Sequence, residues 1–365
     1  MATLQASPSD LDPQVSNLRG QKLPAWAPWA IAGVAIVISG LLFAVTGDSF
    51  NRARFAVLAA LLFVVGLSGL SFGVEGRRQA VDRLFTTFVY STFVLAVAPL
   101  LSIIYYTLSK GLGVIDGGFL THSMFTISED SVGGGAYHAI IGTLIVTGMA
   151  AVFAVPIGVL TAVYLVEYGA GKAFARVVSF FVDVMTGIPS IVAGLFIFTF
   201  WLLTLGYQKS GFAGSLALVI LMLPVIVRST EEILRLVPHE LREASYALGV
   251  PKWKTIVRVV LPTAFSGIIT GVMLAIARAM GETAPLLLLV GTQAKINFDP
   301  FAGSAEANPM STLPTFIYSE LGSAAGNPNA PGTARAWGAA VTLIAIIMIF
   351  NLLARFVGRF TKARG

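Results

Sequence analysis

Long apolar runs separated by short polar stretches set the pattern of this chain. The runs lie at about Ala25 to Val45, Phe55 to Phe72, Leu84 to Leu108, His138 to Leu165, Val177 to Gly206, Ser215 to Ile233, Ala264 to Gly291 and Ala336 to Val357. At about 1.5 Å per helical residue, about 20 residues cross a hydrocarbon core of roughly 30 Å. Lipid offers the backbone no hydrogen-bond partner, so each run is predicted to close its own bonds as a helix. The expected fold is an all-α, polytopic membrane bundle of about eight spans.

Composition agrees with that reading. Apolar residues make up 56% of the chain and charged residues 12%, too little polar surface to cover a water-soluble fold of 365 residues. The formal charge of +6 gains meaning from its placement. Arg77, Arg78 and Arg83 follow the second run, and Lys172 and Arg176 the fourth. Arg228, Arg235, Arg242, Lys252, Lys254 and Arg258 surround the sixth-to-seventh connection, and Arg355, Arg359, Lys362 and Arg364 end the chain. By the positive-inside rule these segments and both termini are cytoplasmic. The connection from Gly111 to Tyr137 carries Asp116, Glu129 and Asp130 without any Lys or Arg, and is external. Arg52 and Arg54, on the first short loop, fall on the outer side and go against the rule.

No basic patch with interleaved aromatics points to nucleic acid. Cysteine is absent, and His122, His138 and His239 are scattered, so no metal-ligand spacing appears. The polar residues before the first run lead to no small-residue cleavage site, so no removable signal peptide is expected. Two long connections, Gly111 to Tyr137 and Thr292 to Arg335, are rich in Gly, Pro, Ser and Asn. The second holds Pro309-Met310-Ser311 and a short amphipathic stretch to Leu321. They serve either as outer-face docking segments or as ordered connections.

The cytoplasmic connection is richer. From Pro238 the chain reads Pro-His-Glu-Leu-Arg-Glu-Ala-Ser-Tyr-Ala-Leu-Gly-Val-Pro-Lys-Trp. Pro238 suits a first helical position, the acidic residues after it favour the positive end of the helix dipole, and Gly249 suits a left-handed helix stop. Pro251 then opens a second helix through Arg258, which meets Leu261-Pro262 ahead of the next span. A soluble partner gripping this element along the membrane face would pull on two spans at once.

These residues resemble the cytoplasmic loop of ABC importer permeases, whose pattern is Glu-Ala-Ala, three residues, Gly, nine residues, Ile, one residue, Leu-Pro. Glu243, Ala244, Ser245, Gly249, Val259, Leu261 and Pro262 stand at those places, with Ser and Val as small departures. The resemblance implies that the loop inserts into a groove on a separate ATP-binding subunit, which dimerises around ATP. The chain itself has no ATPase machinery. Near Gly171-Lys172, Val166 replaces the first glycine of a phosphate-binding loop and Ala173 its final Ser or Thr. No cofactor is expected on this chain, and ATP and Mg belong to the partner ATPase subunits.

Charges also occur inside the runs. Arg278 lies about 14 residues, or roughly 21 Å, beyond the start of the seventh run, and Glu282 is one turn further on the same face. Intramembrane ions are costly and face protein or a water-filled path. Pro285 leaves the Gly281 carbonyl without its helical donor, so a bend is predicted there. Two readings stand: an Arg–Glu pair that locks helices together, or a cation beside a broken helix that receives an oxyanion. In the fifth run Asp183 precedes Gly187-Ile188-Pro189-Ser190, a second interruption, and can pair with Arg278 across the interface. Arg228 either reaches the pathway from the inner half or snorkels to the cytoplasmic surface.

The segment Arg278-Ala279-Met280-Gly281-Glu282-Thr283-Ala284-Pro285 resembles the signature of phosphate permeases. So do Gly187 to Gly194, Pro309-Met310-Ser311 and Gly142-Thr143-Leu144, over about Leu84 to Val357. The Ala284-Pro285 ending is closer to the PstA type than to its paralogue PstC. That resemblance implies a non-catalytic permease half in the bacterial inner membrane. Its implied partners are a PstC-type half, a PstB-type ATP-binding dimer and a PstS-type phosphate-binding protein. Arg278, Glu282, Arg228 and Asp183 become substrate-pathway candidates.

The expected organisation is a cytoplasmic tail at 1–24, an extra transmembrane hairpin at 25–83, and a permease domain at 84–365 with its coupling loop at 234–262. From the residues alone, an ion-driven carrier using Asp183 and Glu282, or a membrane scaffold, remains an alternative. Phosphate, sulfate and molybdate offer the same tetrahedral oxygens to an Arg, and only the resemblance chooses between them.

Overall fold

The computed structural model describes residues 22–46, 51–128, 131–301 and 306–362. Most of the expected N-terminal tail, Glu129, Asp130 and Arg364 lie outside the described residues. The helices in chain order are α1 (Ala27–Thr46), α2 (Arg52–Val74), α3 (Arg77–Gly111), α4 (Gly117–Thr121), α5 (Tyr137–Val163), α6 (Ala173–Thr186) and α7 (Ser190–Ile197). They continue with α8 (Gly211–Arg235), α9 (His239–Ala247), α10 (Lys252–Thr255), α11 (Leu261–Met280), α12 (Ala284–Leu289), α13 (Leu313–Ser323) and α14 (Pro331–Lys362). Three π-helical turns interrupt the α pattern at Tyr164–Tyr168, Phe198–Thr204 and Ile256–Val260. Among the described residues β structure is limited to one isolated bridge, Ser210 to Asn308.

Seven helical runs are long and apolar enough to cross a membrane, and eight if α6 and α7 with its π turn count as one. The fifth expected span is therefore not a straight rod. It turns by 108° between Thr186 and Ser190, where Gly187 ends α6 and Pro189 cannot continue it. The seventh also differs. Helix runs from Lys252 to Met280 straight through Leu261-Pro262, where a boundary was expected. The π turn explains this: the Leu261 N–H bonds to the Ile256 carbonyl five residues back, and Pro262 falls in the first turn of α11, where an N–H is dispensable. At the other end the chain does not merely bend. α11 stops at Met280, Gly281 to Thr283 are non-helical, and α12 begins afresh at Ala284.

The chain divides into two compact units, with the boundary at Ile103 and Ile104 inside α3. In the first unit α1 packs on α2, and the Glu75 carboxylate fastens three segments. It accepts from the Leu23 N–H (2.7 Å), the Ser71 hydroxyl (2.6 Å) and the Arg83 guanidinium (2.6 and 2.7 Å). Only 11% of the most apolar window of α1 is buried, so its remaining apolar surface requires lipid or another protein.

In the second unit α8 is the axis, with 61% of its most apolar window buried. Val146, Ala150 and Ala154 of α5 meet Leu218, Leu221, Met222 and Ile226 of α8 in one core, joined by Ala193, Ala275, Ala279, Leu286 and Val290. Small residues let helix backbones approach where lipid supplies no hydrophobic drive. The connection from Thr292 to Thr312 is laced down rather than free. Met310 N–H reaches the Val290 carbonyl (3.2 Å), Asn308 N–H the Lys209 carbonyl (3.0 Å), and Leu313 N–H the Thr143 hydroxyl of α5 (2.8 Å). The Ser311 hydroxyl closes a reciprocal pair with the backbone of Gln293.

Candidate functional site

The two interruptions read from sequence come together. Gly194 of α7 lies against Pro285 of α12 so closely that an added Cβ would sit 2.8 Å from the Pro285 Cα. The broken fifth and seventh spans therefore share one joint, and glycine is needed there for space rather than for an unusual dihedral.

Three residues ahead of the break in the seventh span stands Arg278. Its Nε lies 3.9 Å from Glu282 Oε1, an ion pair too long for a hydrogen bond. Its side chain is 57% exposed and that of Glu282 16%. No hydrogen bond to another described residue occupies the Arg278 donors, which leaves its guanidinium presentable. Glu282 is held by the break itself, its N–H bonding to the Ala279 carbonyl (3.2 Å).

Asp183 does not pair with Arg278. Its partner is Arg228 of α8, at 2.5 Å. The same guanidinium reaches Glu231 (2.5 Å) and both the hydroxyl (2.8 Å) and carbonyl (3.0 Å) of Ser179. Glu231 is nearly buried and also takes Arg235 at 2.5 Å. Arg228 thus neither snorkels freely nor waits unpartnered. It clamps α6 to α8 within a four-charge network. Sequence reasoning missed Glu231, although its spacing of three from Arg228 and four from Arg235 on one helix was a usable signal.

The cytoplasmic connection forms as two helices around a glycine stop. Pro238 lies just ahead of α9 rather than at its first position. Gly249 has φ +75° and φ > 0 is readily open to glycine; its N–H returns to the Tyr246 carbonyl (2.9 Å) and that of Val250 to Ser245 (3.1 Å). Glu243 and Ala244 face outward, as do Gly249 and Pro262, while Leu261 is half-buried. Ser245 is buried, sharing a hydrogen bond of 2.8 Å with Thr255 of α10. Leu248 and Trp253 of the same element are also exposed, so its outward-facing residues include large apolar side chains as well as the Glu243 carboxylate.

Arg242, one residue from Glu243, points the other way. It is buried and bonds to Glu167, in the π turn that ends α5, at 2.8 and 3.2 Å. It also donates to the carbonyls of Val237 (2.7 Å) and Leu234 (3.0 Å). Sequence gave no sign of this contact across 75 positions. Among the described residues no group of three or more His, Asp or Glu is arranged to hold a metal ion.

Residues 154–363 match the family of binding-protein-dependent transport system inner membrane components. The phosphate transport system permease protein PstA 1 of Mycobacterium tuberculosis is 52% identical over 289 residues, 79% of this chain and 91% of its own length. The corresponding PstA of Mycobacterium leprae is 53% identical over 280 residues, 76% of this chain and 89% of its own. Among solved structures, a bacterial alginate ABC transporter in complex with its periplasmic protein gives a TM-score of 0.52. It is 17% identical over 77% of this chain and 96% of that one, a likeness of fold alone.

Proposed function

Because the chain belongs to the family of binding-protein-dependent transport system inner membrane components, we propose that it is the PstA-type half of an ATP-driven importer that passes inorganic phosphate across a bacterial inner membrane. The relatives of 52% and 53% identity, both phosphate transport system permeases, support phosphate over other oxyanions. The observation that carries the site assignment is the contrast between arginines. Arg228 and Arg242 are bonded to carboxylates and carbonyls, whereas Arg278 keeps its donors uncommitted beside a helix break. An oxyanion is bound best by such a fork.

In this reading Arg278 meets phosphate. Glu282, the weak neighbour, offsets its charge when the site is empty and lets the anion leave. Arg228 and Asp183 belong to the inner half of the same route, where their tight pairing closes α6 on α8. Glu243, Ala244, Ser245, Gly249, Leu261 and Pro262 form the coupling element that a PstB-type ATPase dimer grips, with Mg and ATP held on that dimer. A PstC-type half completes the pathway and a PstS-type protein delivers phosphate at the outer face. Both termini are cytoplasmic, as the Lys and Arg distribution supports, and the hairpin at 25–83 carries no substrate.

The test is ATP-dependent phosphate uptake into vesicles holding the full complex. Arg278→Ala with Glu282→Ala should lower uptake at least about tenfold, the loss expected when charge-assisted bonds to an anion disappear. Unaltered uptake in that variant removes the site assignment, and uptake that survives ATP depletion removes the ATP-driven reading.

A further inference from the structure

We propose that Arg242 is the positioning residue that makes the coupling element mechanically continuous with α5 and α8, through its buried bonds to Glu167, Leu234 and Val237. The inference rests on the importer reading above and names a residue that reading does not need.

The geometry is specific. Arg242 and Glu243 are neighbours on α9 with opposite duties: Glu243 faces outward, where a partner is gripped, and Arg242 faces inward. The Arg242 side chain is 10% exposed and that of Glu167 6%. Its Nε and Nη2 both go to Glu167 Oε1, at the end of α5. Its Nη2 and Nη1 also reach the carbonyls of Leu234 and Val237, at and just past the C-terminal end of α8, where helix carbonyls lack intrahelical donors and a cation is favoured. One planar guanidinium therefore joins three elements. The Ser245–Thr255 bond, one turn further along the same buried face of α9, ties it to α10, which continues into α11. A displacement of α9 then reaches α5 and α8 through these side-chain bonds as well as along the backbone from Leu236 to Pro238.

A buried ion pair is a weak source of stability, because apolar replacements of similar volume often do as well. What the pair supplies here is a fixed position shared by three helices. Lysine cannot replace it, since an ammonium has no planar fork to span the carboxylate and two carbonyls.

The experiment uses the complete complex in proteoliposomes and reads phosphate taken up per ATP hydrolysed, together with the yield of assembled complex. Arg242→Lys, and separately the double variant Glu167→Leu with Arg242→Met, are compared with wild type. The double variant leaves no stranded buried charge, so assembly is retained. The tether predicts that both assemble and hydrolyse ATP while the uptake-to-hydrolysis ratio falls at least about tenfold, the scale of lost charge-assisted bonds. A wild-type ratio in the double variant overturns the tether. So does loss of assembly in both variants, which would make the role purely structural. If wild type itself shows no ATP-dependent uptake, the importer reading falls and the tether with it, a result separable from failure of the variants alone.

Discussion

Gly194 and Pro285 touch through their backbones: a Cβ built on Gly194 would lie 2.8 Å from the Cα of Pro285. Two helices, each interrupted for its own local reason, are thereby seated on one another, and the seat has no slack for a methyl group. Gly194→Ala should shift α7 against α12 at a cost of about 1–3 kcal/mol, as overpacking of a tight contact does. Gly148 on α5, where an added Cβ meets nothing within 4 Å, is the matched control. Thermal unfolding of the purified complex and its uptake rate should both fall for Gly194→Ala and hold for Gly148→Ala. Equal behaviour of the two would show that the seat is loose.

The charge network on α6 and α8 has a built-in hierarchy. Glu231 is nearly buried and serves both Arg228 and Arg235, whereas Asp183 is largely exposed and serves Arg228 alone. Glu231→Ala should therefore destabilise by about 1–3 kcal/mol, because it leaves half-buried Arg228 short of a partner. Asp183→Asn should cost less than about 1 kcal/mol, in the range of exposed pairs. Denaturation of the two variants side by side decides the matter. A larger loss for Asp183→Asn would reverse the hierarchy.

Glu75 gives a prediction in pH. The hydrogen bond from Arg83, reinforced by Ser71 and Leu23 and opposed by burial, holds its carboxyl at about 2 against an ordinary 4.5. A folded value below the unfolded one means that the stabilisation is complete above about 4.5 and drains away as pH falls through about 2. The unfolding-temperature difference between wild type and Glu75→Gln should be constant near neutrality and shrink across that acid window. A difference that stays level throughout would show that Glu75 is not held in this way.

Both helix interruptions were legible in the sequence, because proline and glycine act through the local backbone and need no partner to break a helix. The glycine stop at Gly249 was legible for the same reason. The choice of ionic partner was not. Asp183 was read as able to pair with Arg278 and instead meets Arg228, since which of two arginines lies within reach depends on how α6 packs on α8, a tertiary outcome. The bond from Arg242 to Glu167 was invisible on the same ground. The helix running through Pro262 escaped notice because a π turn shifts the register by one residue, and apolar periodicity carries no trace of such a shift.

A rod that changes heading by 108° cannot pass an axial thrust onward in the same direction. Whatever advances α6 along its own length arrives at α7 mainly as sideways travel, and the surface waiting there is the ring of Pro285. An advance of α6 along its axis would therefore press α7 sideways against α12, the first helix beyond the break in the seventh span.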